Sequence, residues 1–494
     1  MMDRSTSPRS SGNIVSSTPA AAIPRLALPL LILLAALAAC GDPDNPERSA
    51  AAVMAYAQDG VTADQERRAA LREEARQDSI AEWEARFGDR VPAPDSIRAL
   101  YLNAWALSSR DRVREFLQIA RETEINAFVL DIKESDSYLT HTGTEIALAK
   151  EIGADGRPAS NWLPELVDSL KANDIYSIAR IVVFKDEMLA TRRPDLAIQT
   201  RDGGVFRDRA DRPWVNPYHS TVWDYNIDIA REALEMGFSE LQWDYVRFPD
   251  VPARFYENMV FPGQDGATRA EAIRDFVEYS QRELAEYRVP ITADVFGLVT
   301  HVTNDLGIGQ QWEMLSAVTD VLLPMVYPSH YYAGSYGISH PNAEPYRILR
   351  ISMEEARLRN EAMRERGQEP ARIVPWLQAF SAPWVDEIRY GATHLREQIQ
   401  ATYDAGLTDW VLWHPGSRYG PFMAAFRGAN GSPSELERNG WTPTRWDPPA
   451  GRLSPMIAQN ERERREADER LDRLTEGLAP AGAHGSPLRK TPLP

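Results

Sequence analysis

Gly237-Phe238-Ser239-Glu240-Leu241-Gln242-Trp243-Asp244-Tyr245-Val246-Arg247-Phe248-Pro249 is a short apolar run that turns polar at an aspartate set among aromatic rings and closes on proline. Upstream, Thr221 to Met236 carries apolar residues at helical spacing, and Gly237 falls where that helix should stop. Downstream, Arg269 to Tyr287 is again helix-like, and Ile291 to Phe296 is a second short apolar run. Strand, helix, strand in this order is the pattern of a parallel sheet.

Reading outward, the alternation persists. Predicted strands are Ala99 to Ala106, Ala127 to Ile132, Ser177 to Phe184, Glu240 to Tyr245, Ile291 to Phe296, Asp320 to Tyr327, Ile373 to Ala379 and Trp410 to Trp413. Helices are expected at Asp111 to Thr123, Leu163 to Ala172, Thr221 to Met236, Arg269 to Tyr287, Gln310 to Ala317, Pro345 to Arg366, Thr393 to Ala405 and, briefly, Pro421 to Phe426, with Gly406 as a second stop. Eight pairs fit an α/β fold of the (β/α)8 TIM-barrel kind with helical or disordered N- and C-terminal extensions. An open doubly wound sheet is the alternative, but no Gly-rich phosphate loop follows an early strand. The expected division is a signal peptide over 1–39, a polar, partly helical spacer over 40–95, the barrel over 96–430, and a charged helix with a tail over 431–494.

A chain of 494 residues can bury a large core. Its formal charge of -17, with no Lys/Arg block, excludes a polyphosphate partner such as nucleic acid. Thirteen Trp and eighteen Tyr offer flat faces that suit sugar rings, although most aromatic residues simply fill core. The one cysteine, Cys40, follows Leu37-Ala38-Ala39 at the end of the apolar run Leu26 to Ala39, which Arg4, Arg9 and Arg25 precede. This resembles a bacterial lipoprotein signal. The resemblance implies cleavage before Cys40, lipidation of Cys40 and a membrane anchor in the cell envelope; Gly41 in place of Asp favours the outer membrane. A membrane-spanning helix is the alternative, but the run is shorter than the roughly 20 residues a bilayer needs and contains Pro29.

Active sites of such barrels lie at the C-terminal strand ends, where three runs end on aspartate: Asp131, Asp244 and Asp294. Asp244 and Asp294 stand on neighbouring strands and suit glycosidic cleavage, one carboxyl protonating the leaving oxygen while the other attacks or activates water. Burying Asp244 beside Trp243, Tyr245 and Phe248 is costly unless it is paired or its proton affinity is useful. The structural alternative is that strand-end aspartates cap helices or bind Arg side chains. For Asp131 the alternative is an ion pair with Lys133, which shares its strand parity.

Trp214-Val215-Asn216-Pro217, Val222-Trp223-Asp224-Tyr225-Asn226, Gln242 to Pro249, Asp294-Val295-Phe296-Gly297 and Pro324-Met325-Val326-Tyr327-Pro328-Ser329-His330-Tyr331 together resemble a bacterial family with a glycosyl-hydrolase-like TIM-barrel domain. The resemblance spans Leu100 to Tyr419 and implies an α/β barrel and a sugar-cleaving activity. The sequence departs from the family pattern at Trp243, commonly Phe, and at Trp413-His414-Pro415-Gly416-Ser417-Arg418-Tyr419, where an Asn-Ala-Ser-Arg-Tyr type is usual.

The expected function is therefore hydrolysis of a polysaccharide, with Asp244 as nucleophile or base and Asp294 as acid; the reverse order stays open. Candidate substrate-binding residues are Asp131, Trp214, Asn216, Tyr245, Arg247, Tyr327, His330, Trp376, Gln378 and Trp413. Arg247 is expected to hold Asp244 ionised, and Trp413, Tyr327 and Trp376 to form subsites. Neither a cofactor nor a metal is expected: the eight His lack carboxylate-His spacing, and no second cysteine exists. No Gly-x-Ser-x-Gly elbow or Cys/His pair points to ester or peptide hydrolysis. A non-catalytic envelope lipoprotein that binds glycan at the barrel mouth is the competing reading.

Overall fold

A computed structural model describes residues 81–155 and 160–448. The apolar run Leu26 to Ala39, Cys40, the spacer up to residue 80 and the charged stretch Glu461 to Glu476 with its tail lie outside the described residues. Eight parallel strands close into a barrel. They are β1 (Arg98–Leu102), β2 (Ala127–Lys133), β3 (Tyr176–Val182), β4 (Glu240–Asp244), β5 (Ile291–Phe296), β6 (Val321–Val326), β7 in two segments (Arg372–Ile373 and Trp376–Gln378) and β8 (Trp410–Trp413). Each strand pairs with its successor and β8 pairs with β1, so no edge remains.

Helices return the chain along the outside: α1 (Arg110–Glu122), α2 (Leu163–Lys171), α3 (Ser220–Glu235), α4 (Arg269–Glu283), α5 (Trp312–Ser316), α6 (Pro345–Glu365) and α7 (Ala392–Asp404), with a 3-10 turn, Gly420–Ala425, in the eighth place. Every residue of β2, β3 and β4 is buried, because one face meets the barrel interior and the other the helices. That is why these strands read as continuous apolar runs rather than alternating ones. Trp243 shows the outer face: it is fully buried against Phe276 of α4 and donates to Ser280 Oγ at 3.1 Å. Truncating such a side chain costs about 3–5 kcal/mol.

The inner face carries Ala99 and Tyr101, Ala127 and Val129, Tyr176 and Ile178, Val321 and Leu323, Trp376 and Val411. Two residues further along β2, β3 and β8, on the same parity, the lining becomes Asp131, Arg180 and Trp413, and Asp244 ends β4 beside them. The barrel is therefore packed below and polar at its upper end. Tyr419 ties the closure, donating to Tyr101 O at 2.8 Å and Leu412 O at 3.1 Å. At the opposite end Phe87 packs on Tyr287, and Arg90 donates to Leu234 O at 2.7 Å in the last turn of α3.

The structure adds features that have no clear periodicity. Short helices Ala104–Leu107, Ala147–Ile152 and Glu187–Arg192 stand on the loops after β1, β2 and β3, and an antiparallel ribbon joins Gln199–Thr200 to Met259–Val260. The first strand stops at Leu102 because Asn103 caps the following helix, accepting from Ala106 N. The seventh is interrupted at Val374-Pro375.

Candidate active site at the barrel mouth

Arg180, inside β3, organises the strand ends. Its Nε and Nη2 reach Asp244 Oδ2 at 3.0 and 2.5 Å, and its Nη1 reaches Asp131 Oδ1 at 2.5 Å and Glu134 Oε1 at 2.6 Å. Burial opposes the charge on this guanidinium, but three surrounding carboxyls outweigh it and hold the proton more firmly than usual. Tyr101 donates to Asp131 and, at 3.2 Å, to Glu134. Burial, reinforced by the negative Glu134, pushes the Asp131 carboxyl well up. Burial pushes Glu134 the same way, yet Arg180, Asp131 and the Ser135 N–H bring it down to about 2.

Asp244 ends β4, and the register Trp243 to Ala293 sets it level with Asp294 of β5. Its Oδ1 accepts from Tyr245 N at 2.5 Å. Tyr245 holds a left-handed backbone, φ 47°, uncommon for a bulky residue and of the kind that gathers at functional sites. Gly297, just past β5, makes room for the next strand: a Cβ there would lie 2.6 Å from both Met325 O and Tyr331 Oη.

Asp294 is buried. Its Oδ1 accepts from Gln242 Nε2 and Trp376 Nε1, both at 2.7 Å, while Oδ2 has no partner among the described residues. Burial above all, then the charge of Asp244, raises its pKa well above the carboxylate range. That shift favours the protonated form of the carboxyl, and Oδ2 is its oxygen without a hydrogen-bond partner among the described residues.

Two expected pairings are corrected. Lys133 does not meet Asp131: a bulge between them shifts the register, so Asp131 faces Arg180 whereas Lys133 turns outward to Asp186 Oδ2 at 2.7 Å and Asn226 Oδ1 at 2.8 Å. Arg247 does not hold Asp244. Its guanidinium lies over the Trp214, Tyr245 and Phe296 rings and donates to Phe248 O at 2.9 Å, leaving Arg180 as the cation on Asp244.

The other candidates divide by position. Tyr327 and Trp413 stack at 5.5 Å on the mouth, with exposed His330 edge-on to Tyr327 at 5.4 Å. Trp376 is buried against Asp294, so it positions that carboxyl. Gln378 is engaged internally, accepting from Ser329 N at 3.0 Å and donating to Phe380 O at 3.0 Å. Asn216 donates to Pro262 O at 2.8 Å, and Trp214 Nε1 donates to Asp208 Oδ2 at 3.0 Å; both brace the loop behind Tyr245. Arg180, Tyr101 and Glu134 were not among the expected residues. The signal for Arg180 was a cation in the apolar run Ile178-Ala179-Arg180-Ile181-Val182. Among the described residues no group of three or more His, Asp or Glu is arranged to hold a metal ion.

Fold and site together define a (β/α)8-barrel protein with a carboxyl cluster at the C-terminal ends of its strands. The chain belongs to the family described as "Putative glycosyl hydrolase domain", which matches residues 99–419. No curated protein matches it. Among solved structures it is similar to a hypothetical protein from Ruminiclostridium thermocellum, with 34% identity over 42% of this chain and 98% of that one and a TM-score of 0.36. It is also similar to the PgaB (BpsB) glycoside hydrolase domain from Bordetella bronchiseptica, with 11% identity, 65% and 95% coverage and a TM-score of 0.46. The glycoside hydrolase domain of PelA from Pseudomonas aeruginosa gives 14%, 66%, 98% and 0.37.

Proposed function

We propose that the protein is a glycoside hydrolase that cleaves O-glycosidic bonds of a polysaccharide with Asp294 as general acid and Asp244 as nucleophile or base. The observation that carries this reading is the contrast between two level, neighbouring carboxyls: one clamped by Arg180, the other without a cation, with one oxygen unpartnered and burial raising its proton affinity. In the reaction, the Asp294 proton passes to the glycosidic oxygen as the bond to the anomeric carbon breaks. Asp244 either bonds that carbon or takes a proton from the attacking water. Arg180 engages Oδ2 of Asp244 and leaves Oδ1 with a single backbone donor. We further propose that Cys40 is lipidated and anchors the enzyme in the cell envelope, at the outer membrane, where the substrate is an envelope or environmental glycan.

The test is reducing-end release from a panel of bacterial and plant polysaccharides, with Asp244→Asn as control. Release that the substitution abolishes supports the glycosidase. Binding of a polysaccharide without release, equal in both proteins, would replace it with the glycan-binding reading.

A further inference from the structure

A line of rings leads outward from the carboxyls. Trp376, bonded to Asp294, meets Tyr101 edge-on at 6.1 Å; Tyr101 lies 6.5 Å from Trp413; Trp413 meets Phe380 at 5.0 Å; and Phe380 stacks on Trp384 at 6.3 Å with only 17° between the planes. Its inner members are mostly buried, with 2% exposure at Trp376 and 4% at Phe380, whereas the outermost, Trp384, is 69% exposed. Val385 beside it is 47% exposed, and contiguous exposed apolar surface is what marks ligand-binding grooves.

The loop that carries Trp384 is firmly built. Ser381 Oγ accepts from Tyr390 N at 3.0 Å, Asp386 accepts from Asn342 Nδ2 at 2.8 and 2.9 Å, and Val385 N donates to Ala382 O at 2.9 Å. The indole is thus presented flat, one face backed by Phe380 and the other open, at no ordering cost when a ligand arrives. An apolar ring face on a rigid support, joined by further rings to a carboxyl pair, fits the apolar face of a pyranose.

Resting on the glycosidase reading, we propose that Trp384 is a distal sugar-binding platform, so that the site takes a glycan chain of several sugars running from the carboxyl pair out over the loop after β7. The ligand class is an oligosaccharide or polysaccharide, and a mono- or disaccharide held at the carboxyls does not use the platform.

The full chain carrying Asp244→Asn, which binds without turnover, is titrated calorimetrically with chito-, cello-, malto- and galacturonan oligosaccharides of two to eight sugars. Affinity is expected to step up by about 3- to 10-fold, the worth of one aromatic contact, at the length that reaches the indole. Adding Trp384→Ala removes the step, and Trp384→Phe keeps most of it. Equal length dependence with and without the ring overturns the platform. A length step without hydrolysis by the unsubstituted chain keeps the platform and overturns only the glycosidase. Absence of binding in every series overturns both.

Discussion

Arg180 places two nitrogens, Nε and Nη2, on one oxygen of Asp244 while its third nitrogen, Nη1, holds Asp131 and Glu134. One guanidinium thus neutralises carboxyls from two strands and fixes their spacing. Removing it leaves buried, unbalanced negative charge. Arg180→Ala is expected to lose about 3–5 kcal/mol of stability as well as activity. Arg180→Lys keeps the charge but not the fork, so it should recover more stability than activity. Urea denaturation of both variants checks this, and equal stability of all three proteins would contradict it.

Asp294 as the acid predicts a dependence on the leaving group. Asp294→Asn should slow hydrolysis of unactivated glycans by about 10²- to 10⁴-fold and aryl glycosides with acidic phenols far less, since those need little protonation. Because the acid works only while protonated, kcat/KM should fall as pH rises through the elevated pKa of Asp294. That alkaline limb should vanish in the variant. A limb unchanged by Asp294→Asn would assign the proton to another group.

A third prediction lies at the closed end of the barrel. Glu240 is buried, accepts from Tyr176 Oη at 2.9 Å, and burial raises it to about 7 despite that bond. A carboxyl whose folded pKa exceeds its unfolded one supports the fold most below about pH 4.5 and loses that contribution as pH rises through about 7. Glu240→Gln, permanently neutral, should match the parent near pH 4.5. At pH 8 it should be more stable by on the order of 3 kcal/mol, or about 4 °C in Tm. Thermal melts at the two pH values decide it, and a lower Tm at pH 8 would refute it.

Cys40 gives a fourth. Replacement by Ser should abolish incorporation of labelled palmitate and move the protein out of the membrane fraction. Retention of both label and membrane association would exclude the proposed anchor.

The barrel was legible because both faces of each strand are buried, so that runs such as Ile291 to Phe296 and Trp410 to Trp413 stand out against amphipathic helices. Asp244 and Asp294 could be located because strand ends are where such runs turn polar. Which cation meets which carboxyl was not legible. The bulge after Asp131 reverses the side on which Lys133 emerges, and no residue type announces it. Nor does sequence separation reveal that the Trp376 indole, 82 positions away, is bonded to Asp294. Arg180 carried a readable signal, since a cation inside an apolar parallel strand needs carboxyl partners, and the strand ends already held them.

The interruption of β7 at Val374-Pro375 bears on how the protein ages under heat. Between β6 and β8 the barrel is laced there by two short segments instead of one continuous strand, and the segment beyond the break begins with Trp376. Val374 N still donates to Leu322 O at 3.1 Å and Pro375 O accepts from Val411 N at 3.0 Å, but Pro375 has no N–H to give, so the missing donor lies beside the grip on Asp294. Fraying at this seam would loosen Asp294 while the other strands still hold their places, so the proposed glycosidase activity is expected to fade at temperatures where the protein's circular dichroism is still that of an intact barrel.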